Sequence, residues 1–411
     1  MIREIDASLN LSNIGTKHIR SKIDEIYWRL TKEVSLTNKY YREIENLVRK
    51  NLELQLINEF NLDYEFRESY INILSEMISY QVEYLETIKV QFRKEVSEFL
   101  KKNDDISRVI LTNGLFGTYG ISIADALLFN NCLIVSSEHG LTRGNIKEYN
   151  EAIRGYETNT SNHYLSFTNS SCKTHQKVSK NNVMSVGVPN ELKIIKFHYL
   201  QNIINRKRLG FLIKDKIVFY ASHNVIINSD KYFPYTKQVS NIYKDEVNLL
   251  SNVLSKINKK VIYKEYPSKN YLDDIPKTTY KNIFNLNKDE DFRYQRTMAD
   301  IIITQGSEST LGWCIGTNKP LIFLNSNYYE PLADDNVKNA FMESFFVFNY
   351  DNEGWEEKLI EFLNKPYNEI LRLWNEKEKY RLKYDEEYFL SMNKNPAKLG
   401  SEHIKGLIDE E

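Results

Sequence analysis

This sequence of 411 residues has few cysteines and almost no net charge. The three cysteines form no CxxC pair and no zinc-ligand spacing, which excludes a disulfide framework and predicts a reduced, cytosolic protein. The 55 basic and 56 acidic residues leave a formal net charge of −1. No overall field therefore favours nucleic acid as a partner.

Long apolar runs are also missing. No stretch reaches the roughly 18–20 apolar residues that a membrane span needs. The first ten residues, MIREIDASLN, hold no apolar run of the kind found in secretory signals. We therefore expect a cytoplasmic chain whose contact with the cytoplasmic face of the inner membrane, if it makes one, is peripheral. With 41% hydrophobic residues, the chain can fill two cored domains.

The first part of the chain has the pattern of helices. Residues 1–102 contain no proline, and an apolar stripe at helical spacing runs through Ile71, Leu74, Ile78, Val82 and Leu85. This predicts three or four helices that cover a core or pair with a partner.

Two runs of alternating strands and helices follow. The first begins at SRVILTNG and continues through GISIADALLFN, NCLIVSSEHG and NNVMSVGVP. The second contains KIVFYAS, KDEVNLLSNVLSKINKK, KVIYKEYP, DEDFRYQRTMA, ADIIITQG, SESTLGWCIG and KPLIFLN. Alternation of this kind predicts parallel sheets, and the tail after them is helical with a break at Pro366.

These patterns predict an α/β protein with two Rossmann-like domains that face a cleft. The predicted N-terminal domain covers residues 1–205, with a helical region at 1–102 and a βα core at 107–205. The predicted C-terminal domain covers residues 206–365, and C-terminal helices fill 366–411. Ligands of such sheets bind beyond the carboxyl ends of the strands, so the residues there are the candidates for a site.

In the first half, the stretch SSEHGLTRG ends a strand with Glu138, His139 and Arg143. A histidine next to a glycine at such a place can act as a general base, or it can simply bond the backbone of a turn. The stretch TNGLFGTYG reads GxxGxxG and lacks a following acidic residue, so an ordinary tight turn is the better interpretation than a dinucleotide motif.

In the second half, two strand ends are rich in polar residues. Ser222, His223 and Asn224 can bond phosphate or sugar, and Asp230 is a carboxylate in an aromatic loop that can serve as nucleophile or turn former. The second strand end combines a glycine, hydroxyls and a carboxylate before a helix, which predicts ligand binding or plain helix capping. Its residues are Gln305, Gly306, Ser307, Glu308, Ser309 and Thr310.

Several of these stretches together resemble one known family. They are VFYASHN, YKEYP at 263–267, ADIIITQGSEST and KPLIFLN, with Glu138-His139-Gly140 and a serine-rich stretch ending in VGVP at 166–189 in the first half. Over residues 107–330 the chain resembles GT-B-type bacterial surface-polysaccharide transferases. Two branches share the plan: those that use CMP-Kdo and those that use CDP-glycerol.

The resemblance implies roles for individual residues. Ser307, Glu308, Ser309 and Thr310 would hold the phosphate and ribose of a cytidine nucleotide, with Lys264 and Tyr266 in the same cleft. Candidates to bind the donor's carboxylate or phosphate are Arg143, Arg154, His223 and Lys231. A retaining double displacement would use Asp230 as nucleophile, and Glu138, Glu157 or His139 would activate the acceptor.

The resemblance also has departures. The Lys-x-His-Pro motif of the family appears as Lys264-Glu265-Tyr266-Pro267, and the polar turn lacks the aspartate of the glycerophosphotransferases. We therefore expect a CMP-activated acidic sugar, Kdo-like, as donor and a lipid-linked glycan of lipopolysaccharide or capsule as acceptor. The alternatives are glycerophosphate transfer, hydrolysis or epimerisation of a nucleotide sugar, and an inactive scaffold with no enzymatic role.

No metal or other cofactor is expected. The string Asp289-Glu290-Asp291 precedes a predicted helix and is interpreted as a solvated charge cluster at a helix N-terminus. The basic stretch Arg206-Lys207-Arg208 is interpreted as a solvated face between domains.

Overall fold

The computed structural model describes residues 40–58, 63–104, 107–115, 117–138, 140, 157–158, 160–178, 182–188, 196–222, 239–265, 280–286, 290–305, 309–326, 335–389 and 395–409. The chain divides into two compact units. Unit 1 comprises Met1–Ser137, Gly155–Tyr164 and Ile404–Glu411, and unit 2 comprises Glu138–Arg154 and Leu165–His403. The domain boundaries predicted after residues 205 and 365 stay predictions.

Two helices open the described part of unit 1: α1 (Tyr41–Asn58) and α2 (Tyr64–Lys102). Asp63 caps α2 by accepting a hydrogen bond from the amide of Phe66 at 2.8 Å. The predicted apolar stripe is only partly correct, because Ile71 is buried whereas Ile78 is exposed. Ser75 and Ser79 are buried instead.

A short sheet follows, with strands β1 (Val109–Thr112), β2 (Leu133–Ser137), β3 (His163–Ser166) and β4 (Asn182–Ser185) in that spatial order. β1 and β2 are parallel, with Val109 opposite Leu133. The helices between the strands are α3 (Gly117–Phe129) and α4 (Asn169–Val178). The strand β3, of sequence HYLS, was not predicted because four residues give no periodicity to detect.

Gly120 in α3 lies against the turn that follows β1. A Cβ at this position would lie 2.7 Å from the carbonyl carbon of Leu115, so the helix has to shift to accept a side chain. We expect Gly120→Ala to lower the free energy of unfolding by about 1–3 kcal/mol. The matched control is Gly406→Ala, where a Cβ would meet nothing within 4 Å, and it should stabilise by about 0.5–1 kcal/mol. Urea unfolding measures both, and equal effects would contradict the prediction.

The larger sheet belongs to unit 2, and all of its neighbouring strands run parallel. Its strands are β5 (Ile217–Ala221), β6 (Lys260–Lys264), β7 (Ile283–Leu286), β8 (Ile301–Gln305), β9 (Leu321–Asn325) and β10 (Phe346–Asn349). Their spatial order is β10-β9-β8-β5-β6-β7. Counted from β5, this is the 3-2-1-4-5-6 order of the doubly wound nucleotide-binding fold.

Apolar layers cover both faces of this sheet. On one face Phe219, Ile262 and Phe323 pack with Phe341 and Trp374. The other face carries a separate cluster, which contains Val218, Val261, Ile303, Leu250 and Leu359. Burial on both faces explains why these strands read as continuous apolar runs rather than as alternating patterns.

The helices of unit 2 complete these layers. They are α5 (Lys196–Arg208), α6 (Val239–Asn248), α7 (Phe292–Gln295), α8 (Ser309–Ile315), α9 (Asp335–Ser344), α10 (Trp355–Asn364), α11 (Tyr367–Glu376) and α12 (Glu378–Tyr384). The last described helix, α13 (Pro396–Asp409), runs from unit 2 into unit 1 along the sequence. Pro366 precedes the first residue of α11, as predicted from the sequence. No helix within the described ranges is long and apolar enough to cross a membrane.

The fold class is therefore confirmed. The described residues form an α/β protein with two sheets, a helical N-terminal region and C-terminal helices. The segment predicted as a helix at 244–260 is helical only to Lys256, and its middle, Leu249–Val253, is a π-helical turn.

One prediction about the basic stretch at 206–208 is wrong in part. Arg206 is buried, and its guanidinium donates to the carboxylate of Asp300 at 2.8 Å and to the carbonyl of Met298 at 2.6 Å. The same side chain donates to the carbonyl of Asp215 at 2.9 Å. Lys207 and Arg208 are exposed, as expected. The inward turn of Arg206 neutralises Asp300, a largely buried acid whose side chain is 13% exposed and which directly precedes β8.

Candidate functional site

The strand order of the larger sheet locates the candidate site. The chain leaves β5 toward β6 on one side, whereas β8 lies on the other side of β5. In doubly wound sheets ligands bind at this reversal, beyond the carboxyl ends of the central strands. Here the reversal lies at the ends of β5 and β8, where the sequence places Ser222 and Gln305.

A buried polar network lies at this end of the sheet. Glu246 of α6 is fully buried and accepts hydrogen bonds from the hydroxyl of Tyr220 and, at 3.0 Å, from the amide nitrogen of Gln305. The amide oxygen of Gln305 accepts from the hydroxyl of Tyr350 at 2.7 Å. The network thus joins β5, β8, α6 and the residue that follows β10 through one carboxyl group and one amide.

The carboxyl group of Glu246 has an unusual electrostatic setting. Burial raises its pKa, and hydrogen bonding with Tyr220, Ser222, Tyr263 and Gln305 opposes that rise. Its Oε1 atom makes no hydrogen bond of good geometry within the described residues. A carboxyl that burial drives toward its neutral form can donate as well as accept, which suits it to hold neutral hydroxyls and amides in place.

Two stacked tyrosines belong to the network. Tyr220 and Tyr263 are opposite each other in the pairing of β5 with β6, and their rings lie 5.7 Å apart with planes at 20°. Burial raises the pKa of both hydroxyls well above the usual value. Sequence reasoning missed this pair, although a signal was present: a tyrosine inside an otherwise aliphatic strand needs a partner for its hydroxyl.

Among the predicted residues of the second half, the structure describes Ser222, Lys264, Gln305 and Thr310. Ser222 and Lys264 are buried, and the amide of Ser222 donates to the carbonyl of Lys264 at 3.0 Å. They therefore lie together at the ends of β5 and β6. Thr310 is half-buried in the first turn of α8.

The side chain of Arg296 contacts α8 and holds it in place. This side chain is fully buried and donates to the carbonyl of Trp313, and its guanidinium lies 4.8 Å from the ring of Trp313. Burial lowers its pKa to about 10, so it remains a cation at neutral pH. A cation at the last carbonyls of a helix complements the helix dipole and holds the helix in place after the loop that follows β8.

In the first half, Glu138 directly follows β2 and is buried. Its carboxylate accepts from the amide of Phe167 at 2.6 Å and from the hydroxyl of Ser166 at 3.2 Å. These bonds tie the residue to the turn after β3. The structure thus shows two hydrogen bonds that hold the carboxylate of Glu138 in place.

Glu157 is also buried and accepts from the hydroxyl of Tyr164 at 2.7 Å. It belongs to unit 1, whereas Glu138 belongs to unit 2. The catalytic roles predicted for both carboxylates stay predictions.

The other predicted site residues lie outside the described part of the chain, and for one of them only the side chain does. They are His139, Arg143, Arg154, His223, Asn224, Asp230, Lys231, Tyr266, Gly306, Ser307 and Glu308, and the side chain of Ser309. The charge cluster at 289–291 is confirmed where it is described, because Asp291 caps α7 by accepting from the amide of Arg293 at 2.9 Å. No group of three metal-ligating side chains is close enough to hold an ion in the described ranges, and the expectation of no metal stays a prediction.

The fold and the network define unit 2 as a Rossmann-like domain with a polar cluster at its switch point. No protein-family model matches the chain, and no curated protein matches it. Solved structures similar to it include the wall teichoic acid polymerase TagF soaked with CDPG, at 16% identity and a TM-score of 0.44 over 74% of this chain and 73% of that one.

Two further similar structures belong to other enzymes. UDP-GlcNAc 2-epimerase from Neisseria meningitidis, bound to UDP-GlcNAc, shares 12% identity at a TM-score of 0.47 over 79% of this chain and 82% of that one. Arabidopsis thaliana UGT89C1, complexed with UDP, shares 10% identity at a TM-score of 0.48 over 80% of this chain and 79% of that one.

Proposed function

We propose that the chain is a glycosyltransferase that binds a nucleotide-activated donor at the carboxyl ends of β5, β6 and β8. The observation that carries the proposal is the Glu246 network at the switch point of a 3-2-1-4-5-6 sheet. Three segments with predicted donor-binding residues begin directly after Ser222, Glu265 and Gln305. The network holds in place the ends of β5 and β8, from which the segments after Ser222 and Gln305 start.

The proposed donor is a CMP-activated acidic sugar, Kdo-like, and the proposed acceptor is a lipid-linked glycan of lipopolysaccharide or capsule. The donor's carboxylate and phosphate need cations, for which Arg143, Arg154 and Lys231 are the candidates. Asp230 is the proposed nucleophile of a retaining double displacement.

The proposal assigns the acceptor-side base to His139. Glu138 and Glu157 are buried, and each carboxylate accepts internal hydrogen bonds. A base has to reach the acceptor hydroxyl within hydrogen-bond distance, which a carboxylate held in this way does less readily than a histidine. Replacement of Asp230 by Asn and of His139 by Gln should abolish transfer and leave nucleotide binding intact.

Thermal unfolding with nucleotides tests the proposal first. CMP at a hundred times its dissociation constant should add about 2.7 kcal/mol to the free energy of unfolding, whereas UDP, GDP and ADP should add less. Ser222→Ala should weaken CMP binding by about tenfold, because it removes a hydroxyl that bonds Glu246 and holds the strand end from which the proposed donor-binding segment starts. Ser401→Ala, at an exposed position of α13, is the matched control and should leave the shift unchanged.

Each other outcome has a definite meaning. Stabilisation by CDP together with turnover of CDP-glycerol would replace the acidic-sugar donor by glycerophosphate transfer. A preference for UDP or GDP would keep a glycosyltransferase but contradict the acidic-sugar mechanism. No shift with any nucleotide would contradict the proposal and favour the scaffold alternative.

A further inference from the structure

An exposed apolar surface lies on α5 and the turn after it. Five large hydrophobic side chains there are between 56% and 73% exposed: Tyr199, Leu200, Ile204, Leu212 and Ile213. We name these five residues the α5 surface. On the helix, Leu200, Ile204 and Lys207 share one face at positions i, i+4 and i+7, and Tyr199 lies at its edge, whereas Asn205 and Arg206 are buried.

The turn that carries Leu212 and Ile213 is held firmly. Gly210, at a φ of 72°, ends α5 with paired bonds from its own amide to the carbonyl of Lys207 and from the amide of Phe211 to the carbonyl of Arg206. The amide of Leu212 then donates to the carboxylate of Asp215 at 2.8 Å, and the amide of Asp215 donates back to the carbonyl of Leu212 at 3.1 Å.

Arg206 anchors the same turn from inside the protein. Its guanidinium donates to the carbonyl of Ile213 at 3.5 Å and to that of Asp215 at 2.9 Å. The two residues of the turn, Leu212 and Ile213, are therefore presented by a backbone fixed at both ends. A preformed surface loses little conformational entropy when a partner covers it.

The unpaired charge beside this surface is positive. Residues 196–216 contain six lysines and arginines and a single acid, Asp215. That acid is neutralised by Lys260 at 2.7 Å, and Arg208 pairs with Glu290 at 2.5 Å. Lys207 and Lys214 are exposed and make no ion pair with any described residue.

We propose that the α5 surface docks on an anionic lipid bilayer. Apolar residues on one helix face, a tyrosine near one end and lysines beside them are the features of helices that lie in a membrane interface. A protein partner fits less well, because lysine is depleted at the buried centres of protein interfaces. This inference rests on the proposed function, because it names the surface through which a glycosyltransferase would reach a lipid-linked acceptor. Vesicle binding itself can be measured whether or not the chain is a glycosyltransferase.

The test is sedimentation of the whole protein with vesicles at physiological salt. We expect binding to vesicles of phosphatidylcholine with 30% phosphatidylglycerol, and at least tenfold weaker binding to phosphatidylcholine alone. Leu212→Ser combined with Ile213→Ser should lower the affinity at least tenfold. Lys207→Gln combined with Lys214→Gln should lower it about 25-fold, at about fivefold per cation, and should flatten its salt dependence.

The matched control uses two equally exposed apolar residues of α2. Ile73→Ser combined with Met77→Ser should leave vesicle binding unchanged. Soluble glycerol phosphate at millimolar concentration should not compete, because a single headgroup lacks the bilayer; full competition would assign the lysines to a free phosphate instead. Absence of wild-type binding, or equal losses in the α2 and turn variants, would overturn the proposal.

These results are separable from the nucleotide experiments. A chain that binds CMP but not vesicles would retain the proposed function and lose the α5 surface proposal. A chain that binds vesicles through Leu212 and Ile213 but no nucleotide would do the reverse. Circular dichroism of every variant shows whether a loss reflects the surface or a loss of fold.

Discussion

Replacement of Arg206 by Leu should lower the free energy of unfolding by about 3–5 kcal/mol, because it removes a buried cation and leaves the largely buried acid Asp300 without its main partner. Arg206 pairs with Asp300 at 2.8 Å, and the nearest other cation recorded for Asp300 is Lys216 at 3.7 Å. The carbonyls of Met298 and Asp215 would also lose a donor. Unmade hydrogen bonds of buried groups add to the loss.

Arg208→Leu is the matched control for this substitution. It removes the same residue type two positions along the chain, where the ion pair with Glu290 is half exposed. Exposed pairs contribute less than about 1 kcal/mol. If Arg206→Leu gives no soluble protein, Arg206→Lys keeps the charge but loses the forked donor geometry, and it should still cost more than Arg208→Leu. Urea unfolding curves that coincide for the Arg206 and Arg208 variants would refute the account.

Glu246→Ala should be the second most damaging change, at about 2–4 kcal/mol. It leaves the hydroxyl of Tyr220 and the amide nitrogen of Gln305 buried without their acceptor. Each such group costs about 1–3 kcal/mol. Glu246→Gln retains an acceptor and is neutral, so it should be far milder. Urea unfolding of the two variants compares them directly.

The pH dependence of Glu246→Gln gives a sharper test. Burial raises the pKa of Glu246 in the folded protein, so the folded state holds its proton at a pH where the unfolded state has lost it. The contribution of Glu246 to stability is therefore fully present below its unfolded pKa and declines as the pH rises toward the folded pKa. Relative to the wild type, Glu246→Gln should gain stability as the pH rises above the unfolded pKa of the carboxyl group.

The control for that gain is an exposed acid. Glu357→Gln on α10 removes a carboxyl from the surface of the same unit, and its effect should change little over the same range. Should Glu246→Gln instead lose stability as the pH rises, Glu246 would be ionised in the folded state, and the neutral network would be wrong.

The sequence predicted the parts of the fold that local pattern determines. The central strands β5, β6, β8 and β9 are apolar runs bounded by polar turns, and each lies within three residues of its predicted bounds. The edge strands β7 and β10 were missed, because each has four residues of which some face solvent. Edge strands carry weaker apolar signals than central ones.

The candidate site was predicted only where strand ends determine it. Ser222, Lys264 and Gln305 do lie at the ends of neighbouring strands of the sheet. Glu246 was not predicted, because in the sequence it is one acid of an amphipathic helix, and only its contacts with Tyr220 and Gln305 reveal that it is buried. Arg206 shows the same limit, since its partner Asp300 lies 94 residues further along the chain.

The position of β5 at the centre of its sheet has a consequence for how the protein is made. All five residues of this strand are buried, and its two neighbours are β6 and β8. A ribosome that adds 5–20 residues per second needs roughly 4–17 seconds to go from the end of β5 to the end of β8. During that interval IVFYA has an unpaired edge that can join another chain. Nascent copies on one messenger are therefore at risk of pairing through β5, and yields should rise when synthesis is slow to initiate or a chaperone covers the strand.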